Sequence, residues 1–306
     1  MSQELVLKKD FKDRYSTLTD LDKLMAYVNG QERKSLRVNT IKIEISELKK
    51  RLSDLIEFKE IPWCKEGFFV KRKSRFALGN LIEHSLGYLY IQEASSMIPP
   101  QVLSPAQSDL VLDVAAAPGS KTTQMAAMMK NKGLIVANDI KFERIKALSI
   151  NLTRMGILNT VITLMHGLAF KTNKFDKILL DAPCSGTGTL RKSPKTLKIY
   201  NTSMITKLAN AQKKLILGSF DNLKPQGTLV YSTCSLEPEE DEGVIDFLLS
   251  QRKDAKLQKI SLNIKSSKTI LDFQNKTYNP EIKKCLRVWP QDNDTDGFFV
   301  AKIRKL

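Results

Sequence analysis

From residue 109 onward, short runs rich in Val, Ile and Leu alternate with longer segments of helical period, and this alternation constrains the fold more than any other feature. The runs are LVLDVAA, LIVANDI, TVITLMH, FDKILLDA and GTLVYSTC; KFERIKALSINLTRMG and MITKLANAQKKLILGSFDNL carry the helical pattern between them. Strands that alternate with helices pair in parallel, because each crossover helix returns the chain to the same end of the sheet. The expected architecture is an α/β fold with a mostly parallel sheet and helices on both faces. Its last segment, RVWP-QDNDTDG-FFVAKIRK, has no helix after it and is expected to close the sheet as an antiparallel edge hairpin.

An open parallel sheet gathers the C-terminal ends of its strands along one edge, and ligands bind in the crevice where the strand order reverses. Ala115, Asp139, Asp181 and Cys234 each fall at or just past such an end. The first of these ends is a turn of small residues, Ala115-Ala116-Ala117-Pro118-Gly119-Ser120-Lys121, followed by the helix TTQMAAMMKN. Small side chains let the backbone approach a ligand closely, and a helix N-terminus offers free N–H groups to its polar end. The turn has no G-x-G-x-x-G, and Gly119-Ser120-Lys121-Thr122 lacks the spacing of a P-loop, which disfavours dinucleotide dehydrogenases and phosphate-cradling NTPases. A compact apolar turn suits a nucleoside cofactor without phosphates such as S-adenosylmethionine, its amino-acid end and ribose lying between Ala115 and Asp139. Asp139 stands where doubly wound folds place an acid for ribose hydroxyls; capping the helix KFERIKAL is its alternative role. Arg144, one turn into that helix, is in reach of the same ligand or is an ordinary surface residue.

Two further strand ends carry thiols, in Asp181-Ala182-Pro183-Cys184-Ser185-Gly186 and in Ser232-Thr233-Cys234-Ser235. A thiolate is the protein nucleophile best suited to add reversibly to carbon-6 of a pyrimidine. Beside a flipped cytosine, Asp181 would share or donate a proton at N3 and make carbon-6 more electrophilic. Free cysteines are usually buried structural thiols, but two of them at functional strand ends point to chemistry. The four cysteines lie at least 50 residues apart, with only two histidines in the chain, so neither a zinc spacing nor a disulfide framework is visible. Reduced thiols and no metal are expected.

With 306 residues and 42% apolar content, the chain can bury a large core and hold one main domain plus a smaller one. No stretch reaches the apolar length of a membrane span, and MSQELVLKKD lacks a signal peptide's apolar core, so a cytoplasmic protein is expected. The first hundred residues contain LTDLDKLMAYVNG, LRVNTIKIE, SELKKRLSDL, FKEIPW and GFFVKR, the pieces of a small α/β module. Pro99-Pro100 and Pro105 mark the joint to the sheet, which gives a module over 1–104 and a main domain over 105–306. The net charge is +16 with 49 Lys+Arg against 33 Asp+Glu, of which residues 1–104 carry +4 and the remainder +12. Such an excess suggests a polyanionic partner, with clusters at Lys71-Arg72-Lys73-Ser74-Arg75 and at Arg191-Lys192-Ser193-Pro194-Lys195 with Lys198.

Together these motifs resemble the Sun-type (NSUN) RNA cytosine carbon-5 methyltransferases over most of the chain. The resemblance runs through Arg37-Val38-Asn39-Thr40, Tyr90-Ile91-Gln92-Glu93-Ala94-Ser95-Ser96, AAAPGSKT, DAPCSGTGTLRK, YSTCSLEPEEDE and RVWPQDNDTDGFFVAKIRK, in the family's order. It implies a Rossmann-like class I methyltransferase sheet preceded by an RNA-binding N-terminal module, with S-adenosylmethionine as cofactor. It also implies that Cys234 is the nucleophile and that Cys184 assists release of product, roles the residues alone do not separate. Two positions depart from the family pattern: Ser120 stands where a second Gly is common, and His166 where an Asp follows the third strand. Ser120 still offers a backbone N–H, and His166 is a candidate for the adenine edge or an ordinary strand-end residue. Compact archaeal relatives make tRNA the first expected substrate and rRNA the second, for a protein acting as a monomer. A catalytically silent RNA-binding assembly factor is the competing reading from another class.

Overall fold

The computed structural model describes residues 7–306. Two helices open the chain, α1 (Lys9–Leu18) and α2 (Leu21–Asn29), the second capped by Asp20, whose carboxylate accepts from Lys23 N at 3.1 Å. Strand β1 (Lys34–Val38), helix α3 (Ile45–Arg51), the hairpin β2 (Ile56–Ile61) and β3 (Cys64–Arg72), helix α4 (Ile82–Ser85) and β4 (Leu89–Tyr90) follow. The four strands form an antiparallel sheet in the order β2-β3-β1-β4. Leu36, Val38, Leu48, Phe68 and Leu89 make its own core. Helices α1 and α2 do not share that core: Phe11, Tyr15, Leu24 and Val28 pack with Leu190, Leu197, Leu236 and Trp289 of the later chain.

Helix α5 (Ile98–Leu103) leads into the main sheet, with both Pro99 and Pro100 in its opening turn. A proline there gives up an N–H that the helix leaves unpaired anyway, so the pair fits the start of this buried helix. Then come β5 (Leu110–Asp113), α6 (Ser120–Met128), β6 (Leu134–Asp139), α7 (Phe142–Met155), β7 (Thr160–Leu164) and β8 (Phe175–Asp181). Helices α8 (Lys195–Ile199) and α9 (Thr202–Asp221) return the chain to β9 (Leu223–Thr233), and α10 (Glu242–Gln251) to β10 (Ala255–Gln258). A small hairpin, β11 (Asp272–Phe273) and β12 (Lys276–Thr277), precedes β13 (Leu286–Val288), α11 (Pro290–Asn293) and β14 (Phe298–Lys305).

The strands line up as β10-β14-β9-β8-β5-β6-β7, parallel from β9 through β7. Strand β14 runs antiparallel to β9, with Phe299 opposite Thr233 and Val300 opposite Ser232. Strand β13 pairs with β14 as the expected hairpin, Leu286 opposite Val300. The outermost strand on that side is nevertheless β10, which pairs with residues 302–305 of β14. Phe299, Ala301 and Ile303 sit in one core and Phe298 and Val300 in the other, so β14 is apolar on both faces and suits an interior position. Helices α9 and α10 cover one face through Ile216, Phe220, Val244 and Leu248. Helices α5 and α6 cover the opposite face through Ile98, Leu103, Met125 and Ala126. From β5 the chain steps outward to β6 and β7, then returns to place β8 on the other side of β5. That reversal opens the crevice between β5 and β8.

Candidate active site

The turn after β5 lies at the crevice. Gly119 adopts φ +101°, and a Cβ there would stand 2.9 Å from Leu148 Cδ1, so only glycine lets α7 close over the start of α6. The Ala116 N–H donates to Asn138 O at 2.7 Å, which ties the turn to the end of β6. Asp139, 1% exposed, holds the turn from beneath: Oδ2 accepts from Ala117 N at 3.3 Å and lies 3.1 Å from Arg144 Nη1, while Oδ1 accepts from Lys141 N at 3.1 Å. The acid thus supports both the turn and the start of α7. Arg144 also donates to Ala117 O, so the structure brings Ala115–Lys121, Asp139 and Arg144 together. Asp113, buried under the turn and bonded to the Thr122 hydroxyl, is pushed up to about 7 by burial.

Lys121 leaves the turn and enters the reacting site. Its Nζ lies 2.6 Å from Asp181 Oδ2 and 3.1 Å from Ser96 Oγ, and the Ser232 hydroxyl donates to Asp181 Oδ1 at 2.8 Å. Burial opposes the Lys121 charge, but Asp181, with Cys234 and Asp113, outweighs it and the pKa rises. Beside this pair, Cys184 Sγ and Cys234 Sγ stand 3.3 Å apart. The contact with Cys234, reinforced by burial, raises the Cys184 pKa well above a free thiol's. Either sulfur can donate in this contact, so the two thiols share one proton-transfer path.

Both cysteines sit on loops that one buried carboxylate holds in register. Glu240 accepts from Ser185 N at 3.0 Å, from Ser235 Oγ at 2.5 Å, from Gln212 Nε2 at 3.0 Å and from the Ser185 hydroxyl. Burial raises its pKa, and the hydrogen bonds from Ser185, Ser235 and Gln212 counteract that rise. Gln212 also donates to Pro183 O at 2.8 Å, and Gly188 N to Cys234 O at 2.9 Å. No side chain fits at Gly188, where a Cβ would meet Gly297 O at 2.4 Å and Cys234 O at 2.7 Å. The neighbouring acids are anchored too. Glu237 accepts from Tyr15 at 2.6 Å and pairs with Arg14 at 2.8 Å, while Glu242 and Asp241 pair with fully buried Arg287 at 2.5 and 3.1 Å.

The other motifs join the N-terminal module to this frame. Arg37, 1% exposed, donates to Gln92 Oε1 at 2.9 Å and to Thr123 Oγ1 at 2.8 Å, and Gln92 donates to Gln124 Oε1 at 3.0 Å. Burial lowers its guanidinium pKa to about 10, against the opposing pull of Cys64, Tyr90 and Glu66. Asn39 Nδ2 bridges Gly87 O and Met155 O, both at 2.8 Å. Arg37 and Gln92 thus brace α6, the helix that begins at the turn.

His166 stands apart from the cysteines and accepts Leu168 N at Nδ1, at 3.2 Å, as a turn cap. Arg191 is not part of the free basic face: its side chain lies over the Tyr27 ring and donates to Asp294 Oδ1 at 2.6 Å. Cys64 and Cys285 are buried. Sequence reasoning missed Glu240, Gln212 and Arg287 as parts of the site. Glu240 was signalled only by the acid run E-P-E-E-D-E that follows the Thr-Cys segment and Arg287 only by the RVWP segment, while Gln212 left no trace.

Known proteins match this arrangement. Residues 100–304 fit the family 16S rRNA methyltransferase RsmB/F, and residues 7–94 fit the N-terminal domain of 16S rRNA methyltransferase RsmF. A tRNA (cytosine(49)-C(5))-methyltransferase of Pyrococcus abyssi is 47% identical, over 98% of this chain and 96% of that one. Ribosomal RNA small subunit methyltransferase F of Shewanella oneidensis is 42% identical over 93% of this chain, which spans 60% of that longer protein. Among solved structures, a methyltransferase homolog protein of Pyrococcus horikoshii superposes with a TM-score of 0.87 at 38% identity, covering 99% of this chain and 96% of that one. NSun6 of the same organism, solved with SFG, gives 0.85 at 25% identity, with 97% and 98% covered. The sheet is that of the class I methyltransferases, and the chain belongs to the RsmB/F family, the group its Sun-type motifs resemble.

Proposed function

We propose that the protein is an S-adenosylmethionine-dependent RNA cytosine carbon-5 methyltransferase acting on tRNA, as a cytoplasmic monomer, with residues 1–104 and the loop 191–198 as its RNA-positioning parts. One observation carries the reaction: two cysteines 3.3 Å apart, beside a Lys121–Asp181 pair at 2.6 Å, at the reversal point of a class I sheet. Two more fit the cofactor. The turn of small residues at 115–121 lies at the crevice and leads into α6, and an acid stands at the end of β6. Ribose hydroxyls would take the Asp139 oxygen that Arg144 faces, and the 46%-exposed Arg144 side chain has room to give way. When bound, S-adenosylmethionine supplies an electrophilic methyl group.

The chain's own residues do the rest. The Cys234 sulfur adds to carbon-6 of a flipped cytosine and electron density moves to carbon-5. Asp181, fixed by Ser232 and faced by Lys121, holds the proton at N3 that accepts this charge. After methylation a base removes the carbon-5 proton, the C5=C6 double bond re-forms, and the sulfur–carbon-6 bond breaks. Cys184, its sulfur 3.3 Å from that of Cys234, then gives its proton to the departing thiolate. Substrate class rests on the tRNA enzyme matched over 96% of its length, against 60% for the rRNA enzyme.

The test is transfer of labelled methyl to total tRNA and to rRNA side by side, followed by bisulfite sequencing of the labelled pool. Label at a defined tRNA cytosine is expected. Label confined to rRNA overturns the substrate, and RNA binding with no label in either pool overturns the reaction in favour of a silent binding factor.

Glu240 offers a second check, because it registers the two cysteine loops without touching the reacting atoms. Glu240→Gln replaces an acceptor by a donor opposite Ser185 and Ser235. A shift of about 1 Å between catalytic groups costs about 100-fold in rate. Single-turnover transfer is therefore expected to fall about 10- to 100-fold, with cofactor affinity unchanged. A rate within twofold of the parent would remove Glu240 from the positioning frame.

A further inference from the structure

A groove of about 660 Å³ lies between the turn that follows β7 and the N-terminal half of α9. Leu168, Ala211 and Leu215 make an apolar floor. His166, Ser203, Thr206, Lys207, Asn210 and Lys214 form the rim. The α9 rim positions recur three and four residues apart, so they stand on one side of the helix and extend about 16 Å along it. No carboxylate lines the groove. The surrounding chain has the same bias: residues 182–236 contain eight Lys or Arg and a single acid, Asp221, which pairs with Arg252 at 2.7 Å. Two of the eight are engaged elsewhere, Arg191 with Asp294 and Lys224 with Asp176.

Asp139, Asp181, Cys184 and Cys234 do not line this groove, so it is separate from the crevice between β5 and β8. It begins at the same sheet edge, however, because His166 follows the end of β7 and α9 starts beyond the loop that carries Cys184. Three strand spacings, about 14 Å, separate the ends of β7 and β8. An apolar floor with a rim of hydrogen-bonding side chains and two lysines matches the parts of one nucleotide: a base face, its edge, and the phosphates on either side.

We propose that this groove seats an unpaired nucleotide of the RNA substrate next to the target cytosine. Its base rests on Leu168, Ala211 and Leu215, Ser203, Thr206 and Asn210 meet its edge, and Lys207 and Lys214 take the flanking phosphates. The assignment rests on the RNA reading above and adds where the strand runs once the target base is in the crevice.

The experiment compares the full-length protein with Lys207→Ala/Lys214→Ala and with Ala211→Trp, which fills the floor without changing charge. All changes lie on the surface, and melting curves check that the fold is kept. A transcribed tRNA serves for transfer kinetics and for fluorescence-anisotropy binding over a salt series; calorimetry gives S-adenosylmethionine affinity. The double variant is expected to raise the RNA KM about tenfold at unchanged kcat and to make the salt slope shallower by about 1.4, at about 0.7 per phosphate for single strands. Ala211→Trp is expected to raise KM about tenfold with the slope unchanged, since the indole takes the space of the base and leaves both lysines in place. Unchanged RNA binding in both variants overturns the proposal. So does weakened cofactor binding with RNA binding intact, which would make the groove an extension of the cofactor site. If the parent protein transfers no methyl to RNA, the anisotropy arm still decides: weakened binding in the variants supports the groove while the reaction reading fails.

Discussion

Replacing Cys234 with alanine is expected to lower methyl transfer by about 10⁴-fold or more while leaving S-adenosylmethionine affinity within twofold. The size follows from the chemistry: without a covalent bond at carbon-6, carbon-5 of cytosine is not nucleophilic enough to attack a methyl group, and nothing else in the site replaces the thiolate. Replacing Cys184 has a different expected outcome, because its sulfur stands 3.3 Å from that of Cys234, in place to give a proton to the departing thiolate. Cys184→Ala should still form the carbon-6 bond and then release it slowly, so that protein linked to RNA accumulates and survives denaturing electrophoresis. The double variant should show neither turnover nor adduct. Activity retained in Cys234→Ala would sink the nucleophile assignment. Absence of adduct in Cys184→Ala, with turnover intact, would sink the release role.

Arg287→Met is expected to have the largest effect on stability. Arg287 is fully buried and donates to Glu242 Oε1 at 2.8 Å and to Leu236 O at 3.2 Å, besides its contacts with Asp241. Burial works against its charge, but Glu242 and Asp241 outweigh it and raise its pKa. Two carboxylates share this single cation, and burial leaves Asp241 with a pKa well above the ordinary range. Removing one member of a buried ion cluster costs about 3–5 kcal/mol, since the charges left behind are desolvated and unpaired. A fall in melting temperature of about 5–15 °C is expected. The pH dependence has a definite sign. Without Arg287, Asp241, whose folded-state pKa burial already raises, loses the cation that lowers it, so the folded form binds more protons and loses stability as pH rises. The deficit should therefore widen between pH 5 and pH 8. Melting curves of both proteins across that range decide, and an equal deficit at both ends would show that lost packing and not charge is responsible.

Much of the fold was legible because the sheet strands announce themselves as short apolar runs bounded by turns. Each run ended where a useful residue stood, which placed Asp139, Asp181 and Cys234 on one edge before any coordinates. Strand β10 was not legible, since AKLQ is four residues long with two polar ones, and only pairing with β14 makes it a strand. The acid run after Cys234 misleads in a more instructive way. Six residues such as E-P-E-E-D-E have the composition of a solvated face, yet Glu237, Glu240, Asp241 and Glu242 are fully buried. Their partners Arg14, Tyr15, Ser185, Gln212 and Arg287 lie far away in the chain, and burial of such charges is decided by partners that local pattern does not reveal. The same holds in reverse for Arg191, a basic-cluster residue that the fold spends on Tyr27 and Asp294.

The two opening helices set a rule for how this protein can be rebuilt. Tyr15 and Arg14 grip Glu237, and Gln291 donates to Thr19 at 2.9 Å, so residues 9–29 are a buttress behind the Cys234 loop although they precede the antiparallel sheet in the chain. Trimming the chain to residues 100–304 would bare Leu190, Leu197, Tyr200 and Trp289 and leave a buried carboxylate without its cation. A chimaera that exchanges the antiparallel sheet must therefore keep the first helices with the catalytic half they support, and keep Arg37, Asn39 and Gln92, which hold α6 and α7.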